Sequence, residues 1–301
     1  MKTRSNFPIF FIGMPRSGTT IVFEAFARHP DLGWLTNYSD AHPNLAALNA
    51  IRWLQENRLL KIEGKKTPRI HKIGNRFLIR PDEAYGFWET HVGRDFSFDF
   101  MAGHQADQET AARVRTAILD IVRYQGRSRF STKLTGPPRI SFLTSIFPDA
   151  RFVHVVRDGR AVTHSLLKVP FWKQKGGFDG PFWKGLPHEY EQIWEKDRDP
   201  GIITALQWRY VLELTDKERK GICSSQYMEV KYEDFVEKPH DSLNRLFRFC
   251  VLKNSANPHH YIDSTRKLEN MNYKYRTDWS VEYIRKLTDC MEPILSTRGY
   301  S

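Results

Sequence analysis

Short apolar runs separated by stretches of helical spacing recur from one end of this chain to the other, an alternation that predicts an α/β layer fold. Residues 7–12 read as a buried parallel strand, and a glycine-containing turn leads from it into an amphipathic helix over about 18–28. His29-Pro30-Asp31 ends that helix, because the residue before a proline avoids the helical region. Further strands are predicted at 130–134, 151–156 and 226–231. Helices are predicted at 45–60, 109–124, 139–147, from 159 onward, at 203–219 and near 240–251. Pro148 stops the helix over 139–147, and Ser280 caps a last helix that runs to about 297. Residues 61–107, rich in Pro, Gly, Arg and aromatics, match neither period and stay unassigned, either an insertion carrying substrate contacts or an irregular cover. The segment 170–200, again dense in Gly, Pro and aromatics, reads as a loop or lid rather than core.

Composition narrows the setting. At 301 residues and 40% hydrophobic, the chain suits one large domain or two small ones and has ample material for a core. No apolar run approaches the ~18–20 residues of a membrane-spanning helix, and no small-residue cleavage site follows the first apolar run, so neither a transmembrane segment nor a signal peptide is expected. Cys223, Cys250 and Cys290 form no CxxC pair and are odd in number, which points to a reducing compartment such as the cytoplasm. The eleven histidines show no ligand spacing, and His259-His260, after Asn257-Pro258, reads as a solvated loop pair, so no metal site is expected. With 46 Lys+Arg against 35 Asp+Glu the formal charge is +11, which favours an anionic partner: nucleic acid, a lipid surface or a phosphorylated small molecule.

Two segments carry candidate chemistry. Gly13-Met14-Pro15-Arg16-Ser17-Gly18-Thr19-Thr20 lies between a predicted strand and a helix, where backbone N–H groups and the helix dipole converge into an anion cradle. Gly13 and Gly18 permit tight backbone, and Ser17, Thr19 and Thr20 supply short hydroxyls. A kinase-type loop has Lys directly after its second glycine; here that Lys is missing and Arg16 stands two residues before Gly18. The second segment, Arg157-Asp158-Gly159-Arg160-Ala161-Val162-Thr163-His164-Ser165, follows a strand directly. Arg157 and Ser165 can both reach an anion at that sheet edge, where ligands of open α/β sheets gather, while Asp158 alone would read as a helix cap.

Together these segments resemble the PAPS-dependent sulfotransferases, PAPS being 3′-phosphoadenosine 5′-phosphosulfate. The closest flavour is the branch of tyrosylprotein sulfotransferases and many bacterial relatives. Residues 147–165 (FPDARFVHVVRDGRAVTHS), the segment 231–239 (KYEDFVEKP) with Tyr232, Tyr273-Lys274-Tyr275-Arg276 and the ending Gly299-Tyr300 carry the likeness over nearly the whole chain, and 32–125 departs from it. The resemblance implies an α/β fold with a central parallel sheet flanked by helices and a P-loop-like nucleotide site, in one domain over 1–301, with the substrate region at about 32–125. It implies that Pro15, Arg16, Ser17, Gly18, Thr19 and Thr20 hold the 5′-phosphosulfate and that Arg157 and Ser165 bind the 3′-phosphate. Tyr232, Lys274 and Arg276 would complete the nucleotide site. Lys133, following a strand, would lie near the bridging oxygen, with PAP (adenosine 3′,5′-bisphosphate) as the product and no metal.

In-line sulfuryl transfer needs cations on the transferring and leaving groups. Arg16 supplies charge but, with a pKa above ~12, is a poor proton donor, so Lys133 is the expected partner of the departing oxygen. The glutamate that tyrosylprotein sulfotransferases carry just after His-Pro-Asp has no counterpart in residues 32–40. Asp40, His42, Glu83, Glu89 and His91 are the candidate bases, and Asp40 and Glu83 are taken forward. Most of the eight tryptophans read as core or loop packing; Trp172 and Trp183, in the lid-like segment, could line the site of an aromatic acceptor, and the acceptor expected is a small molecule or carbohydrate. The basic run Lys61, Lys65, Lys66, Arg69, Lys72, Arg76 and Arg80 reads either as a solvated face or as a surface for an acidic glycan. The rival functions are a P-loop kinase of a small metabolite and a non-catalytic basic nucleotide- or nucleic-acid-binding protein. The first lacks its lysine, and the second lacks any recognition-helix, RNP-like or OB-like signature.

Overall fold

The five strands among the described residues are all parallel: β1 (Ile9–Gly13), β2 (Leu32–Gly33), β3 (Arg129–Thr135), β4 (Arg151–Val156) and β5 (Tyr227–Lys231), in the order β2-β3-β1-β4-β5. The computed structural model describes residues 7–55, 79–264 and 268–300. Strand β1 is buried throughout because it is covered on both faces. Phe10 and Ile12 join a core with Trp88, Phe96 and the helices Gln108–Tyr124 and Ile140–Ile146. Ile9 and Phe11 face the other way, onto Phe23 and Phe26 of helix Thr19–Phe26 and Phe247 of helix Pro239–Phe249. A third cluster, built on the long helix Pro200–Glu218, closes the structure beside helices Gly159–Leu167 and Val281–Met291.

The register decides where the site lies. Gly13 pairs with Thr135, and Ile12 pairs with His154, so the segments leaving β1, β3 and β4 emerge at one carboxyl edge. Strand β1 has neighbours on both sides and sends its loop to the place where the connections diverge, the usual crevice of an open parallel sheet.

The four longer strands and the helices lie where the apolar pattern puts them, with several exceptions. Strand β2, two residues at the sheet edge, has no periodicity to read. The helix expected over 45–60 is a 3₁₀ turn, Ala46–Ala50, followed by Ile51–Gln55, and its remainder lies outside the described residues. The unassigned stretch contains helices Tyr85–His91 and Asp95–Phe98, while its basic residues from Lys61 to Arg76 lie outside the described residues. The last helix begins after Ser280 as expected, its side chain accepting from Tyr283 N at 3.2 Å, but it stops at Met291 and a short helix, Ile294–Thr297, follows. Pro293 lies between them; it has no N–H for a continuing helix. His259 and His260 sit in helix Ala256–Ser264, where His259 pairs with His240, rather than in a loop. The largest correction concerns 170–200. It contains helices Pro170–Gln174 and His188–Asp197, and Trp172, Trp183, Tyr190 and Trp194 are all buried in the third core cluster. Gly and Pro in it mark turns between core-packed aromatics, not a solvated lid.

Two predictions follow from this packing. Trp194, 6% exposed, sits away from the sheet edge, and Trp194→Ala should cost about 3–5 kcal/mol in urea unfolding. A loss under about 0.5 kcal/mol, as at a solvated surface, would return the segment to a lid. His154, wholly buried on β4 with Nδ1 2.7 Å from the Tyr227 hydroxyl, has its pKa pushed from 6.5 down to about 3 by burial and by Arg298 and Arg219. The unfolded chain therefore binds the extra proton first. This group's contribution to stability is complete above pH 6.5 and falls as pH drops, by up to about 1.4 kcal/mol per unit. Between pH 7 and 5, urea midpoints should fall less steeply in His154→Gln than in the wild type; parallel curves would contradict the assignment.

Candidate active site

The turn after β1 is shaped by backbone that few residues tolerate. Gly13 has φ +151°, and a Cβ there would lie 2.4 Å from the Val155 carbonyl oxygen of β4. Gly18, at φ +87°, precedes helix Thr19–Phe26, and a Cβ there would strike the Tyr232 ring at 2.4 Å. Between them Arg16 takes a positive φ of 71°, which costs a non-glycine residue about 1–3 kcal/mol and marks a constrained functional turn. No side chain caps the helix, so its first-turn N–H groups keep their capacity for an anion. Ser17 and Thr19 are buried, and Arg16 and Thr20 are exposed.

The segment after β4 closes on this turn. Arg157 Nη1 donates to the Arg16 carbonyl at 3.0 Å, its Nε donates to Asn272 Oδ1 at 2.8 Å, and its guanidinium lies 4.4 Å over the Tyr232 ring. Burial lowers the Arg157 pKa, while Tyr232 and Glu233 oppose that shift. Arg16 Nε donates to Ser165 Oγ at 2.9 Å, so the two expected anion-binding segments are in direct contact. Asp158 caps helix Gly159–Leu167 by accepting from Arg160 N at 2.9 Å, and grips the Arg160 side chain as well. Asn272, which donates its amide to Glu233, carries no sequence signal that singles it out. Lys274 and Arg276 are exposed on helix Lys274–Asp278. Arg276 lines a cavity of about 410 Å³ with Asp158, Arg160, Asn272 and Tyr300. His164 and Lys168 both hold Asp278, which anchors this helix to the end of helix Gly159–Leu167.

On the other side of the turn, Lys133 lies within β3 rather than after it. Its Nζ donates to Thr20 Oγ1 at 2.9 Å and pairs with Glu83 Oε1 at 3.0 Å. Glu83 accepts from Thr135 Oγ1 at 2.8 Å through its other oxygen, and Tyr85 OH donates to the Thr135 carbonyl at 2.5 Å. Burial, and then the Glu83 charge, push the Tyr85 pKa above its ordinary value. A cavity of about 320 Å³ opens here, lined by Pro15, Arg16, Thr19 and Thr20 and by Phe98, Phe171, Trp172, Phe182 and Trp183. Glu83, Tyr85, Glu89, Ser97, Thr135 and Lys175 complete its lining.

Of the five carboxylates and histidines proposed as bases, Glu83 and Glu89 line this cavity. Asp40 does not; its Oδ1 accepts from Gly86 N at 2.7 Å, at the start of helix Tyr85–His91. His91 is buried against Phe87 with Nε2 3.4 Å from the Pro43 carbonyl, and its pKa is lowered by burial. His42 ends helix Asn37–Ala41 and is exposed.

This arrangement sets the strained turn after β1 beside a cavity rich in aromatic residues, with Glu83 lining the cavity and Lys133 joining it to Thr20. The family model described as "Sulfotransferase family" matches residues 8–255, which include the segments 13–20 and 157–165 and the lysine–glutamate pair. The chain belongs to the sulfotransferase family. Among curated sulfotransferases it resembles the protein-tyrosine sulfotransferase of Drosophila melanogaster, at 24% identity over 324 residues, covering 97% of this chain and 52% of that protein. Protein-tyrosine sulfotransferase 2 of Gallus gallus is 23% identical over 248 residues, covering 80% and 50%. The chain thus spans about half the length of the curated relatives it matches. Its fold is that of sulfotransferase STF9 from Mycobacterium avium, with a TM-score of 0.60 at 17% identity over 98% of this chain and 77% of that one. STF1 from Mycobacterium tuberculosis gives 0.58 at 18% identity, covering 94% and 76%. Among the described residues no helix is long and apolar enough to cross a membrane, and no group of His, Cys, Asp and Glu has the geometry of a metal site.

Proposed function

We propose that this sulfotransferase moves the sulfuryl group of PAPS to the hydroxyl or amine of a small-molecule or carbohydrate acceptor. The observation that carries the reading is the meeting, at one sheet edge, of an uncapped helix start with Arg16, Lys133 and Arg157. The donor set fits a doubly anionic nucleotide: backbone N–H groups and hydroxyls at one end, and a buried guanidinium stacked on Tyr232 at the other. PAPS supplies the transferable group and a bisphosphate that leaves with the electron pair of the broken S–O bond. The 5′-phosphosulfate belongs to residues 15–20 and the 3′-phosphate to Arg157 and Ser165, with Tyr232, Lys274 and Arg276 around the nucleoside.

In this reading Glu83 takes the acceptor's proton as its oxygen bonds to sulfur, and Lys133 stabilises the charge that grows on the departing oxygen. Glu83 is favoured over Asp40 because it lines the cavity and already touches Lys133. The direct Lys133–Glu83 bond, at 3.0 Å, keeps both side chains in place beside the cavity. The three free cysteines fit a reducing compartment, and we place the protein in the cytoplasm.

Lys133 acts chiefly in the transition state and Arg157 in the ground state, so their variants should separate. Lys133→Ala should lower kcat by about 10²–10³-fold and leave the PAP dissociation constant within a few-fold. Arg157→Ala should weaken PAP by about 10-fold or more, the loss of a charge-assisted contact. Steady-state kinetics beside calorimetry decide it. A near-normal kcat in Lys133→Ala, or unchanged PAP affinity in Arg157→Ala, would break the assignment.

A further inference from the structure

Behind Arg157 stands a carboxylate that the transfer chemistry leaves unused. Strands β4 and β5 pair with Val156 beside Lys231, so the residues that follow, Arg157-Asp158 and Tyr232-Glu233, leave the sheet side by side. Tyr232 thus lies under the Arg157 guanidinium, and Glu233 Oε1 accepts from Asp158 N at 3.3 Å. The same oxygen accepts from Asn272 Nδ2, and Oε2 accepts from the Tyr300 hydroxyl at 3.0 Å. Among the described residues no Lys or Arg pairs with Glu233 directly. Asn272 arrives on a separate segment of chain. The Tyr232 hydroxyl holds that segment by donating to the Glu269 carbonyl at 3.0 Å, and Asn272 N donates to Asn270 Oδ1 at 3.0 Å within it.

An asparagine amide can face either way, and here its two neighbours fix it. Arg157 Nε can only donate, so it takes the Asn272 carbonyl, at 2.8 Å, and the Asn272 NH₂ group finds its acceptor in Glu233. Arg157 is 8% exposed, and burying a guanidinium is costly unless its donors are satisfied. Asn272 takes its Nε and the Arg16 carbonyl its Nη1, while Nη2 makes no hydrogen bond among the described residues. Two fixed bonds on a planar fork set the direction of the edge that stays open. Resting on the PAPS-transfer reading, we propose that Glu233 is a positioning residue, which acts through the Asn272 amide to aim the open edge of Arg157 at the 3′-phosphate. Glu233 touches neither the nucleotide nor the acceptor. It orders Arg157 before the ligand arrives, so the phosphate gains its contact without the entropic cost of fixing a long side chain.

The test compares, by calorimetry, PAP with adenosine 5′-monophosphate, which lacks only the 3′-phosphate. The wild type should prefer PAP by about 10-fold or more, the worth of a charge-assisted contact. Glu233→Ala should cut that preference by about fivefold or more and leave affinity for the monophosphate within about twofold. Asn272→Asp, which sets two carboxylates against each other, should cut the preference as far. Adding Glu233→Gln to Asn272→Asp restores the net charge and reverses the bond: the Gln amide donates, and the Asp accepts from it and from Arg157. The double variant should recover the preference to within about threefold of the wild type, and it decides the matter even where Glu233→Ala does not fold. An intact preference in Glu233→Ala or Asn272→Asp, an equal loss of both nucleotides, or a double variant no better than Asn272→Asp would overturn the positioning role alone. A wild type that binds the two nucleotides equally would overturn the 3′-phosphate reading beneath it.

Discussion

The clasp between the turn after β1 and the end of β4 is the constraint on which the site depends. Gly13 lies against the Val155 carbonyl, closer than any side chain would permit, and Arg157 holds the Arg16 carbonyl from the same side. With the backbone so pinned, Arg16 accepts a positive φ, Gly18 packs on Tyr232, and the helix start is left facing the crevice uncapped. The strain in this loop is offset by the buried parallel pairing of β1 with both β3 and β4, which fixes the ends of three strands in register. The arginine is therefore architectural as well as a charge. Removing it loosens the cradle it also serves.

Charge is distributed by role. The excess of basic residues suggested an anionic partner without placing it, and several arginines turn out to be internal fasteners. Arg52 donates to the Leu32 carbonyl and to Gln125, and Arg129 donates to the Phe7 carbonyl while stacking on the Phe7 ring. Arg139, fully buried, donates to the Pro137 carbonyl and lies 4.7 Å over Phe96. Arg16, Lys133 and Arg157 meet at the crevice. Beside them the 320 Å³ cavity is lined by the carboxylates Glu83 and Glu89, by Lys175 and by aromatic rings.

The long strands and the tight turn after β1 were legible because their signals are local. A doubly covered parallel strand is a continuous apolar run, and a cradle needs its glycines at fixed spacing beside a helix start. The same logic misread 170–200, where glycine and proline spell loop while four aromatic residues are in the core. Burial of those rings is a tertiary fact that composition does not encode. Glu83 could be named as a candidate but not chosen, since its pairing with Lys133 joins the start of helix Tyr85–His91 to a strand on another part of the chain. Asn272 had no sequence signal at all. Asp40, taken forward with Glu83, bonds a helix backbone instead of lining the cavity.

We infer that the turn after β1, which lacks the kinase lysine and is closed by Arg157, holds a nucleotide with phosphate at both its 3′ and 5′ positions. Isothermal titration of adenosine 3′,5′-bisphosphate without magnesium, set beside ATP with magnesium, tests it most directly. The account predicts a one-site isotherm for the bisphosphate and none for ATP with magnesium under the same conditions. Binding of ATP with magnesium in preference to the bisphosphate would contradict it.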